Sequence, residues 1–137
     1  MILKKRAHSG SGIELIIIGS VIFLIVISII IIVQKETGES KRQELYQEAG
    51  KVGNIISTEV ENAKSSPGTY SRKFFVPETI NGREYVLYHK KTEVIITVSG
   101  VEYVLFIDPN VNGVLKKGWN TIEKTGNATS YSININI

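Results

Sequence analysis

The longest unbroken pattern in the chain is apolar. From Ile13 to Val33 the sequence reads IELIIIGSVIFLIVISIIIIV, with Glu14 its single charge. At about 1.5 Å of rise per residue, roughly twenty such residues make a helix that crosses the hydrocarbon core of a bilayer. Isoleucine and valine dominate the run, and β-branched side chains are mediocre helix formers in water. In lipid every backbone amide needs a partner within the segment, so a single span must still be a helix. The segment predicts a membrane-spanning helix, or the buried core of a helical assembly, over residues 13–33.

The pattern then becomes amphipathic. Leu45, Ala49, Val52, Ile55, Ile56 and Val60 recur at spacings of three and four, which predicts a helical extension over 34–66 with one face laid on a sheet. Gly38, Gly50 and Gly53 fall within it. Each costs up to about 1 kcal/mol relative to alanine in a helix interior. Two readings stand side by side: a bend or melted stretch, or ordinary tolerated glycines with a loop near Gly38. Pro67 and Gly68 end the helical region.

Beyond Gly68 the period falls to two. Strands are expected over Tyr70–Val76, Arg83–His89, Thr92–Ser99, Val101–Ile107, Trp119–Lys124 and Tyr131–Ile137. Asn81-Gly82 reads as a tight turn, Ser99-Gly100 as a hairpin turn, and Asp108 to Gly113 as a loop. Short sequential connections favour an antiparallel meander. Along the last strand Ile133, Ile135 and Ile137 alternate with Ser132, Asn134 and Asn136, so one side of the sheet should be buried, with the helix as its cover. The expected class is α+β: a long N-terminal hydrophobic helix followed by a small antiparallel β head over 67–137.

Charge orients this arrangement. The formal net charge is +3, and Lys4, Lys5 and Arg6 account for it, leaving thirteen bases against thirteen acids. An excess held in one terminal cluster is no footprint for nucleic acid. Placed just before the apolar run, it holds that end in the cytoplasm and sends the β-rich part outward. Lys35, Lys41 and Arg42 on the other side weaken the contrast. The apolar stretch is long and runs into Gln34, Lys35 and Glu36 without a small-residue cleavage site, so the helix is expected to be retained. A carboxylate at the edge of hydrocarbon costs a few kcal/mol unless paired or hydrated. Glu14 therefore either sits at the interface beside Arg6 or pairs with a positive group from another subunit.

Signs of catalysis are missing. No nucleophile with a base, paired carboxylates or glycine-rich phosphate loop is visible, and there is no cysteine for a disulfide or thiolate metal site. Neither an enzyme nor a cofactor is expected. Of the two histidines, His8 lies near the N-terminus and His89 reads as a surface residue beside Lys90 and Lys91. Asn127-Ala128-Thr129 is an N-glycosylation sequon in a polar turn, though such triplets also arise by chance. Trp119 is expected to pack at a strand end, and Lys90-Lys91 and Lys116-Lys117 to keep edges and loops soluble.

Taken together, Lys4, Lys5, Arg6 and Ala7, the polar stretch HSGSG, and Ile13-Glu14-Leu15 before an unbroken apolar helix resemble the class III signal of type IV pilins, the archaeal form in particular. The later PETINGREY and KKGWNTI segments look like the β-rich heads of archaeal pilin-like proteins. The resemblance implies a basic leader and polar junction over residues 1–12, cut by a membrane prepilin peptidase at a site set by Lys4, Lys5, Arg6, Ala7 and Gly10. A cut after Ala7 makes Glu14 the seventh mature residue, one after Gly10 the fourth, and one after Ser9 the fifth, the family's usual place. It further implies that Glu14 meets the freed N-terminal amine of a neighbour and sets register among identical subunits, with the pilus assembly machinery as partner. The protein would rest in the membrane and then in a cell-surface filament. The alternative from the same residues is a monotopic accessory protein, stator-like or bound to the surface layer, whose leader is never cut.

Overall fold

The computed structural model describes residues 10–137, and the fold is α+β. A helix, α1 (Gly10–Ser65), precedes seven strands: β1 (Tyr70–Val76), β2 (Tyr85–Lys90), β3 (Glu93–Val98), β4 (Val101–Phe106), β5 (Val111–Gly113), β6 (Gly118–Gly126) and β7 (Tyr131–Ile135). The chain divides into two compact units, one ending at Ser40 and one running Lys41–Ile137.

The first unit is helical throughout its described part, and its apolar run is long and apolar enough to cross a membrane, at a mean hydropathy of 3.5. Ser20, Ser28 and Thr37 each donate a hydroxyl hydrogen bond at 2.8 Å to the carbonyl four residues earlier. These hydroxyls therefore need neither water nor a second chain.

In the second unit the helical stripe Leu45, Ala49, Val52, Ile56, Val60 and Ala63 is buried. Ile55, expected on this stripe, is exposed; about 100° of helical rotation separates it from Ile56. Helical conformation runs through Gly38, Gly50 and Gly53, so neither a melted stretch nor a loop forms. The reason at Gly50 and Gly53 is packing. The Tyr103 ring of β4 lies over both, and a Cβ would stand 3.4 Å from it at Gly50 and 2.6 Å at Gly53. Tyr46, one turn earlier, meets the same ring edge-to-face at 5.2 Å.

The strands form two sheets rather than one meander. β2, β3 and β4 make a three-stranded antiparallel sheet in sequential order, as short connections favour. The other sheet has the order β1-β6-β7-β5. β1 leaves its neighbour in sequence and pairs antiparallel with β6 over its whole length, Tyr70 opposite Lys124 and Val76 opposite Gly118. β5, read from sequence as loop, pairs parallel with β7. Gly113 makes that pairing possible: its φ is +103°, and any Cβ there would fall on the Ile135 carbonyl oxygen.

Two strand ends also move. Asn81 and Gly82 form the expected turn with φ of 50° and 70°. Ile80 and Arg83 exchange both backbone hydrogen bonds across it at 2.9 Å, so Arg83 belongs to the turn and β2 starts only at Tyr85. At the other end Asn136 has φ 54° and turns the chain, leaving Ile137 85% exposed instead of beside the buried Ile133 and Ile135. The inward faces of both sheets and the stripe of α1 contribute to one core, including Phe74, Val76, Val94, Ile96, Val98 and Ile122.

Candidate functional site

Residues 13–33 carry apolar side chains around the whole helix, and every large one from Ile13 to Val33 is exposed to a substantial degree. A soluble helix keeps a polar face; one that is apolar on all sides requires lipid or other helices. Glu14 stands on the first turns of α1 and is exposed. Among the described residues no basic group lies within ion-pair distance of it. Gly10 is the first described residue and is helical, while Lys4, Lys5, Arg6 and Ala7 lie outside the described residues.

The sequon sits in the exposed connection between β6 and β7. Asn127 Oδ1 accepts hydrogen bonds from the Thr129 amide at 3.2 Å, the Thr129 hydroxyl at 3.1 Å and the Ser130 amide at 2.8 Å. The three residues therefore form a closed Asx turn, with the hydroxyl and the amide side chain of the triplet in direct contact.

Sequence reasoning missed the polar cluster that fastens the end of α1. Lys124 on β6 is 1% exposed, yet its ammonium is satisfied. Nζ donates to the Lys64 carbonyl at 3.0 Å and to the Ser66 carbonyl, and lies 5.2 Å from the Tyr131 ring centroid. A cation on the last carbonyls of a helix satisfies orphan acceptors and complements the helix dipole. Beside it Asp108 accepts from the Tyr131 hydroxyl at 2.8 Å and the Asn110 amide at 2.9 Å, and pairs with Lys64 at 3.1 Å. Burial pushes the Asp108 carboxyl upward, but the Asn110 amide, Tyr131 hydroxyl and Lys64 ammonium outweigh it and hold it below its ordinary value. The only hint in the sequence is that Asn120, Ile122 and Lys124 share the parity of one strand face.

Asn120 is equally buried and belongs to a second network. It donates to the Lys116 carbonyl at 2.7 Å and the Gly118 carbonyl at 3.0 Å, and accepts from Asn136 Nδ2 at 2.7 Å. Lys117 is no mere solubiliser: Nζ donates to Glu84 at 3.0 Å and to the Tyr85 carbonyl at 3.2 Å. Trp119 lies at the start of β6 but on its outer face, 66% exposed and edge-to-face with Phe75 at 5.4 Å. His89 is half-buried and hydrogen-bonds the Lys91 carbonyl at 3.2 Å. Among the described residues no three of His, Asp or Glu gather as metal ligands.

This arrangement can hold a helix end on a sheet and present an apolar rod. No protein-family model, curated protein or solved structure matches the chain.

Proposed function

We propose that this chain is a structural subunit of an archaeal type IV pilus-like surface filament, held in the membrane until its N-terminal helix joins a bundle of identical helices. The observation that supports this most is the all-round apolar character of residues 13–33 with a single carboxylate near the start. Its mechanism is assembly without chemical reaction. Apolar rods associate by packing, and Glu14 sets register, because a subunit out of step leaves its charge unpaired in a dry core. The β head faces outward, and the Asx turn at Asn127 offers the sequon to the glycosylation machinery on that side.

Two measurements test the reading. Mass spectrometry of the mature chain should find a new N-terminus between residues 8 and 11, the product of a prepilin peptidase; an intact Met1 favours the uncut accessory anchor. Glu14→Ala and Glu14→Gln should leave the protein in the membrane but abolish or shorten filaments seen by electron microscopy. Normal filaments from both variants would remove Glu14 from this role.

A further inference from the structure

The two sheets turn unlike surfaces outward. In the three-stranded sheet the register places Val86, Thr97 and Glu102 in one outward row, Tyr88, Ile95 and Val104 in the next, and Lys90, Glu93 and Phe106 in the third. The alternate rows, such as Leu87, Ile96 and Tyr103, face the core. The outward face is therefore apolar as well: Val86 is 65% exposed, Tyr88 55% and Phe106 71%. A solvated sheet face ordinarily carries polar side chains, and a contiguous apolar patch marks an interaction surface. Its charges are Glu93 and Glu102 against the single Lys90.

On the other sheet, Phe75 and Trp119 stand opposite each other on the outer face, with Lys73 opposite Thr121 one step along. Lys73 and Lys116 line the same shallow cleft as Trp119. On this face Lys73 and Lys116 outnumber one carboxylate, Glu123, two positions beyond Thr121, so the patch keeps a positive excess, whereas on the first face Lys90 stands opposite Glu93 and Glu102 leaves a negative excess. Tryptophan, tyrosine and phenylalanine are the residues that anchor interfaces, and opposite charges fix which faces meet.

We infer that the outer face of the β2-β3-β4 sheet in one copy docks against the Phe75-Trp119 face of the next copy of this chain. Both faces point outward from one compact unit, so the contact is made between copies. It joins unlike surfaces, which makes it heterologous and able to continue from copy to copy. The inference rests on the proposed filament for what brings copies side by side. The two faces themselves stand independently of that reading.

The absence of cysteine permits a clean test in the full-length chain, in the cells or membranes where it resides. Thr97→Cys and Thr121→Cys mark the two faces with near-isosteric replacements. Treated with a short bismaleimide, the double variant should give a ladder of dimers, trimers and longer species, and each single variant no product. Lys73→Glu with Lys116→Glu should weaken the ladder by roughly tenfold or more, and adding Glu93→Lys with Glu102→Lys should restore it. Dimers from Thr97→Cys alone would show that like faces pair and would overturn the inference, as would cross-linking of either face to a different protein. Filaments without a ladder overturn the inference and leave the filament reading standing. A ladder without filaments does the reverse, and the lack of both overturns the two together.

Discussion

Tyr103 lies against Gly53 so closely that a Cβ on the glycine would stand 2.6 Å from the ring, whereas one on Gly50 would stand at an ordinary 3.4 Å. Two glycines one turn apart in the same helix should therefore respond oppositely to an added methyl group. Gly50→Ala should stabilise the head by up to about 1 kcal/mol through helix propensity alone. Gly53→Ala gains the same propensity but forces the ring out of its place against Tyr46, an overpacking that costs about 1–3 kcal/mol, so its net effect should be destabilising. Thermal unfolding of the full chain in detergent micelles, followed by near-ultraviolet circular dichroism, measures both. Equal signs for the two variants would show that Tyr103 is free to move aside.

Lys124 should tolerate little. Lys124→Met keeps much of the volume but leaves the Lys64 and Ser66 carbonyls without their donor. A loss of about 2 kcal/mol is expected, in the range for hydrogen bonds to charged groups. In amide exchange the last turn of α1 should lose protection more than the β2-β3-β4 sheet. A uniform loss across the head would place the effect elsewhere.

The Lys64-Asp108 pair predicts a definite pH response. The folded Asp108 carboxyl titrates below its ordinary 3.8, so its contribution is complete above that value and fades as pH falls through the folded value. Lys64 is raised above 10.5, first by its hydrogen bond to Asp108, and its share persists below that value and disappears as pH climbs past it. Asp108→Asn should cost about 1 kcal/mol at neutral pH, where a charge-assisted bond is lost. As pH falls through the folded carboxyl's lowered value the two proteins should converge in unfolding temperature, since the wild-type carboxyl then takes up its proton. A constant gap across that range would assign the acid sensitivity to other carboxylates.

How far the sequence reveals this molecule depends on the range of the interaction concerned. The bounds of β1 can be read to the residue because Pro67-Gly68 and Pro77 bracket an alternating run. The turns at Asn81-Gly82 and Ser99-Gly100 are legible because local chemistry dictates positive φ there. β5 is not: three residues show no periodicity, and their partner β7 lies some twenty positions away. The β1-β6 pairing is hidden for the same reason. Lys124 reads as a solvent-facing residue until its partners are known, because burial of an ammonium depends on carbonyls sixty positions earlier. In β2 and β4 both faces are apolar, so alternation finds the strands without saying which side is covered. Of the candidate site, the rod and Glu14 are visible in the sequence, and the complementary outer faces are not.

The position of β7 between β6 and β5 has a consequence for biogenesis. The hairpins of β2, β3 and β4 pair only with their immediate neighbours and can close as soon as the nascent chain exposes them. The four-stranded sheet cannot, because β7, one of its two interior strands, is made after all the others and β5 has no other partner. Until residue 135 emerges, Phe74, Val76 and Ile122 have an incomplete cover, so a stalled or truncated nascent chain is left with a finished hairpin layer beside an open, adhesive half-core.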